Sequence, residues 1–300
     1  MRLCKPSFEI WNQPTGLEGV YKQIERVGRV CYKSEDKITE DSAKPFVDRM
    51  IKSGHGAMLE HGTVYLAMPI ETMLPIEVNG WGKYTKNPYS KGFKVCEVDG
   101  QRRVAITTNL RVLVENGWLD DLQYICEPTE FHEKRVTVHF VCDRGVSHEF
   151  VRHRVMSLAQ ESTRYCNYSK DKFGNELTFI QPCWLNDERL KLYGPYHTVI
   201  RDKSPESIFI ANLNNAERDY LDLIRLGWKP QQARAVLPNA CKTELVMTGF
   251  VEDWKHFFFL RCPVNAHPQA RELAIPLSDE FIKRGYINSK NLENVKEETK

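Results

Sequence analysis

Across residues 207–226 the apolar side chains Ile210, Leu213, Ala216, Tyr220, Leu223 and Ile224 recur at the three- and four-residue spacing of an amphipathic helix. Gly227 stands where a helix C-cap is expected. The same period predicts helices over 19–32, striped by Val20, Ile24, Val27 and Val30, and over 43–51. Residues 135–142 instead alternate Val136, Val138, Phe140 and Cys142 against Thr137 and His139, the period-two pattern of a strand with one buried face. A second strand is predicted over 63–68, closed by Pro69 and entered through a loop carrying His61. A helix capped by Asp143 or Ser147 is expected to run through His153. Pro230 opens a short helix that reaches Val236 before Pro238 stops it, and 252–260 and 270–283 supply two more.

Between these segments the pattern breaks down. Asn79-Gly80, Asn87-Pro88, Asp99-Gly100 and Asn116-Gly117 are turn signals around short runs, so about 80–134 reads as a surface insertion. With no internal repeat and no low-complexity linker, the chain is expected to form one α/β (α+β) domain over 1–287, a mixed sheet flanked by helices, followed by a frayed polar tail over 288–300.

Composition narrows the function. The 42 Lys and Arg against 40 Asp and Glu leave a formal charge of +2, so no global field draws in nucleic acid or an anionic membrane. The nine cysteines are odd in number and never form a C-x-x-C pair, which suits neither a structural zinc site nor a redox pair. No metal centre is expected. Charges interrupt every apolar run before membrane-spanning length, and no early segment has the order of a signal peptide; free thiols in a reducing cytoplasm fit best.

The common phosphate-loop, dinucleotide-fold, zincin and nucleophile-elbow signatures are absent. What remains is the polar run 152–165, with Arg152, His153, Arg154, Gln160, Glu161, Ser162, Thr163 and Arg164 close together. Arginine presents a planar fork matched to phosphates and to the heteroatoms of a flat ring, so the run suits a nucleotide or dinucleotide ligand. A cationic helix end favoured by the macrodipole fits the charges equally well.

Arg152-His153-Arg154, seven residues, then Ser162 resembles the R-H-R-x7-S signature of the flavin-dependent thymidylate synthases. Three further segments match in order: Leu59-Glu60-His61 before a strand, Ala233-Arg234-Ala235-Val236-Leu237-Pro238, and Trp254-Lys255-His256-Phe257-Phe258-Phe259-Leu260-Arg261. Together they extend from about residue 20 to about residue 274.

The resemblance implies the family's fold and a homotetramer with shared active sites. It also implies FAD as cofactor, dUMP as substrate, 5,10-methylenetetrahydrofolate as carbon donor and NADPH as reductant. Arg261 is then the catalytic group, polarising the uracil ring. Glu149, Phe150, Val151, Arg152, Gln160, Glu161, Ser162, Thr163, Arg164 and Arg234 join it around dUMP, and His61, Thr63, Arg152, His153, Arg154, Gln160 and His256 contact FAD. From position alone Arg261 is equally an arginine ending an amphipathic helix, Arg234 a surface ion pair, Ser162 a turn former and Thr63 a packed strand residue. His55, His132, His139, His148 and His197 read as ordinary part-buried imidazoles.

One departure stands out: where family members often carry Asn-x-Arg six residues before His256, this chain has Phe250-Val251-Glu252. Two other readings remain. A cysteine-dependent methylase would use Cys183 as a thiolate nucleophile, and a non-catalytic nucleotide- or RNA-binding protein would use the basic and aromatic side chains of 152–165.

Overall fold

A computed structural model describes residues 1–70, 80–98, 100–185, 188 and 204–288. The turn positions Asn79 and Asp99, His197 and the tail from residue 289 onward lie outside the described residues. In chain order the elements are β1 (Arg2–Cys4), β2 (Ser7–Trp11), α1 (Gly16–Tyr32), α2 (Ala43–Lys52), α3 (Gly56–Leu59), β3 (Thr63–Pro69), β4 (Lys91–Val98), β5 (Gln101–Asn109) and α4 (Leu110–Asn116). They continue as β6 (Arg135–Asp143), α5 (Arg144–Phe150), β7 (Ser157–Gln160), β8 (Thr178–Ile180), α6 (Pro205–Arg225), α7 (Pro230–Ala233), β9 (Lys242–Phe250), α8 (Val251–Arg261) and α9 (Pro268–Lys283).

The architecture is α/β, with helices over several sheets. Among the described residues the expected mixed sheet is corrected to two antiparallel sheets, β2-β6-β9-β7 and β3-β5-β4, and a separate parallel pair, β1-β8. β6 and β9 pair along their full lengths, from Arg135 opposite Phe250 to Asp143 opposite Lys242. The face of this sheet carrying Val136, Val138 and Phe140 packs with α5, α8 and α9 around Phe150, Trp254, Phe257, Phe258 and Phe281. Burying a side chain of this size contributes about 1.5–3 kcal/mol.

The stretch 80–134 is not a surface appendage. β5 pairs with β3 from Thr63 opposite Asn109 to Pro69 opposite Arg103, and Tyr84, Val104, Ile106, Leu110 and Leu113 share a core with Val20 and Ile24 of α1. Gly62 lets α1 pack directly on the start of β3: a Cβ there would stand 2.6 Å from Ile24 and 2.8 Å from Val20. α6 starts at a Ser204 cap, whose hydroxyl accepts from the Ser207 amide at 3.1 Å, and Gly227 just after it takes φ +95°, as its periodicity and glycine foretold. Among the described residues no helix is long and apolar enough to cross a membrane.

Candidate active site

Asp143 ends β6 and caps α5. Its Oδ1 accepts from the Val146 amide at 2.7 Å and its Oδ2 from Gln269 Nε2 at 2.6 Å. α5 stops at Phe150 instead of running through His153, because the chain must reverse within six residues to lay β7 antiparallel against β9 from Ser157. Turn bonds from the His153 amide to the Phe150 carbonyl (3.1 Å) and from the Arg154 amide to the Arg152 carbonyl (2.9 Å) accomplish the reversal. Phe150 anchors it, its ring fully buried 5.1 Å from Phe140 and 4.9 Å from Phe257. The expectation of a ligand contact from Phe150 is therefore confined to its backbone, and Val151 is half-buried against the same core.

The reversal sets His153 beside the C-terminal end of α8. Arg261, the last residue of that helix, donates from Nη1 to Glu149 Oε2 (2.8 Å), from Nη2 to the Glu149 carbonyl (2.7 Å) and from Nε to His153 Nε2 (3.3 Å). An accepting Nε2 requires His153 to be neutral and protonated on Nδ1. Burial, then the charges of Arg261 and His256, pushes this imidazole down to about 4, consistent with that state. His256 is exposed five residues before Arg261, its ring centroid 5.9 Å from that of His153. Arg152 and Arg154 are exposed and have no side-chain hydrogen bond or ion pair among the described residues. Two unpaired guanidiniums flanking a fixed imidazole form a donor set that fits the phosphates of a dinucleotide cofactor such as FAD.

A second group lies at the end of β7. Gln160 donates from Nε2 to Ser147 Oγ on α5 (2.8 Å) and to Thr243 Oγ1 on β9 (3.2 Å). The Ser162 amide donates to the Cys31 carbonyl (3.0 Å) and its hydroxyl accepts from the Arg164 amide (3.3 Å). Arg234 Nη1 reaches the buried Thr163 Oγ1 at 3.4 Å, and Arg164 Nε reaches Gln231 Oε1 at 3.5 Å, so neither arginine has a carboxylate partner among the described residues. Ser162 and Tyr165 also line a largely apolar cleft of about 430 Å³ with Cys31, Tyr32 and Met58, a volume in the range of small-molecule sites. Glu161 departs from the expected substrate contact. Its carboxylate is turned inward and buried, accepting from Tyr168 OH and Lys242 Nζ, each at 2.9 Å.

His61 and Thr63 belong to a third, buried group. His61 Nδ1 lies 2.8 Å from Thr248 Oγ1, which lies 2.8 Å from Thr137 Oγ1, and Arg135 donates to Thr63 Oγ1 (3.2 Å), the Glu60 carbonyl (3.1 Å) and Ser157 Oγ (3.2 Å). Burial, then the Arg135 charge, pushes His61 down to about 3, so the ring is neutral. Its exposure is 0%, and as folded the imidazole presents no surface to a cofactor. Phe250 is likewise buried, its ring faced by Lys91 Nζ at 4.5 Å and the Arg135 guanidinium at 5.5 Å.

The chain thus gathers Arg261, Glu149, His153 and His256, and ties Gln160 to the same helix through Ser147. Among the described residues no hydrogen bond or ion pair joins the Arg261 group to Arg164 and Arg234. Sequence reasoning offered Ser147 only as a helix cap and did not single out Thr243, Lys242 or Thr248; the β7-β9 register, with Gln160 opposite Leu245, is what brings the β9 residues to the site.

The rival nucleophiles find little support. No histidine or carboxylate side chain hydrogen-bonds Ser162 Oγ among the described residues, and burial, then Glu272, pushes the Cys183 thiol up, away from thiolate formation.

Residues 103–284 match the family described as thymidylate synthase complementing protein, a span that includes the second half of the segment expected to be an insertion. A flavin-dependent thymidylate synthase of Pyrococcus furiosus is 32% identical over 146 residues, 49% of this chain and 53% of that protein. One from Mycolicibacterium gilvum is 34% identical over 138 residues, 44% of this chain and 51% of that protein. The chain spans about half the length of these curated relatives. A third, from Corynebacterium aurimucosum, is 23% identical over 268 residues, 88% of this chain and 77% of that protein. Among solved structures, a UMP/dUMP methylase PolB from Streptomyces cacaoi, bound with 5-Br dUMP, aligns with a TM-score of 0.42 and 16% identity over 94% of this chain and 93% of that one. The family match covers more than half of the residues and carries the arginine motif, the β9 strand and Arg261 with it: the chain belongs to the thymidylate synthase complementing protein family.

Proposed function

We propose that the protein is a flavin-dependent thymidylate synthase that reductively methylates dUMP to dTMP, with FAD as cofactor, 5,10-methylenetetrahydrofolate as carbon donor and NADPH as reductant. The observation that carries the reading is the state of the motif arginines: Arg152, Arg154, Arg164 and Arg234 have no carboxylate partner among the described residues, in a chain whose +2 net charge offers 40 acidic side chains to pair with. Arginines left unpaired in this way are suited to anionic ligands, and two phosphate-bearing molecules account for all four.

In this reading Ser162, Arg164 and Arg234 hold the nucleotide phosphate, while Arg152, Arg154 and His256 hold the cofactor. FAD held by these residues would supply, once reduced by NADPH, the hydride that completes the methyl group. Arg261 donates to the pyrimidine edge from a side chain already oriented by Glu149 and His153, so little reorganisation is needed when charge develops on the ring. Neutral His153 serves this orientation without competing for the proton. No enzyme nucleophile is required. As the resemblance implies, this reading includes a homotetramer in which neighbouring chains complete each site, working in the cytoplasm without nucleic-acid or membrane partners.

The test is direct. Purified protein is expected to carry or take up a yellow flavin, and to oxidise NADPH faster when dUMP is added, yielding dTMP once the folate is supplied. A protein that binds no flavin, or whose NADPH oxidation ignores dUMP, overturns the proposal.

A further inference from the structure

Glu161 sits between two proposed ligand contacts, Gln160 and Ser162, yet faces the opposite way. Its amide donates to the Glu244 carbonyl at 2.8 Å, extending the β7-β9 pairing by one residue, and beyond it the chain leaves the sheet as the loop of Ser162, Thr163 and Arg164. The side chain is 1% exposed, with Tyr168 OH on one oxygen and Lys242 Nζ on the other, each at 2.9 Å. Lys242 also pairs with Glu244, but Glu244 has two further partners, Lys33 Nζ at 2.8 Å and His139 Nε2 at 2.9 Å. Among the described residues Glu161 has no second cation. A charged cavity of about 460 Å³, roomy enough for several waters, opens behind the loop, lined by Lys33, Glu161, Tyr168, Lys242 and Glu244 among others.

We propose that Lys242 is a positioning residue for the nucleotide site, acting through Glu161 to fix the backbone from which Ser162 and Arg164 reach the phosphate. The inference rests on the reading of that loop as the dUMP site. A buried carboxylate stripped of its one ammonium partner is strongly disfavoured, because desolvation is then uncompensated. The orphaned group has water within reach in the cavity, and moving toward it draws residue 161 and the adjoining loop off the β9 strand. Removing both charges together leaves no such drive.

The test is a double-mutant cycle on the flavin-loaded protein, reading dUMP affinity, flavin content and melting temperature. Lys242→Met is expected to weaken dUMP binding by about tenfold or more while flavin content stays at the wild-type level. Lys242→Met combined with Glu161→Gln is expected to recover most of that affinity, and Lys242→Arg to retain it. Equal affinity in Lys242→Met and wild type overturns the inference, as does a double variant no better than the single one. Parallel loss of flavin, dUMP and thermal stability in every variant, Lys242→Arg included, overturns it in favour of a purely structural ion pair. Wild-type protein that takes up flavin but no dUMP sinks the underlying reading and the inference with it.

Discussion

Replacing Arg261 by alanine separates the fold's use of this side chain from the reaction's. The guanidinium makes three contacts, at 2.8 Å to the Glu149 carboxylate, 2.7 Å to the Glu149 carbonyl and 3.3 Å to His153. The ion pair is partly open to water, with side-chain exposures of 16% and 33%, and screening holds such a pair to about 1 kcal/mol. The bond to the carbonyl adds about 1 kcal/mol more. Arg261→Ala is therefore expected to cost about 2 kcal/mol of stability, a drop of a few degrees in Tm, with the hydrophobic core intact. The catalytic loss is expected to be larger. Removing one preorganised donor from a developing anion typically lowers kcat about 10²–10³-fold, or about 2.7–4 kcal/mol.

Steady-state dTMP formation at saturating dUMP, together with a melt of the same preparation, reads both quantities. An interaction made mainly in the transition state lowers kcat and kcat/KM together, whereas a ground-state contact raises KM alone. Arg261→Lys keeps the charge but cannot hold both Glu149 acceptors with a planar fork, so it is expected to recover stability better than turnover. Turnover within about threefold of wild type in the alanine variant, or a loss fully explained by unfolded protein, refutes the assignment.

Two further outcomes follow from the cap and the buried imidazole. Asp143→Ala removes the α5 cap and leaves the Gln269 amide without its acceptor, an expected loss of about 2–3 kcal/mol in urea unfolding, while Asp143→Asn is expected to keep the cap; equal stability of all three proteins contradicts this accounting. Because burial, then Arg261 and His256, holds His153 down at about 4 against an unfolded value of 6.5, its contribution is fully present above about pH 6.5 and is lost as the pH falls toward 4. The slope is about 1.4 kcal/mol per pH unit, checked by unfolding at several pH values, and His153→Asn is expected to flatten it; an unchanged slope in that variant assigns the acid sensitivity elsewhere.

How far the sequence revealed the fold and the site depended on how each element is buried. β6, with one apolar face, announces itself by alternation, and α1 and α6 by their stripes. β9 gives no such signal because Leu245, Val246 and Met247 are all buried, one face against the α8 core and the other against α1 and its neighbours. A strand closed on both sides loses its period. The same holds for β5, buried from Val104 to Asn109, which is why 80–134 reads as loose turns although it builds a second core. The site divides along this line as well. Arg152, His153, Arg154 and Ser162 are legible because they are neighbours in the chain, whereas Lys242, Thr243 and Thr248 reach the site only through strand register, a long-range fact no local pattern encodes. A motif is therefore the half of this site that is contiguous in the chain. Its other half is β9, whose polar side chains tie down Gln160, Glu161 and His61 while its apolar ones face the cores, so substitutions on that strand are expected to change ligand affinity without touching any residue of the signature.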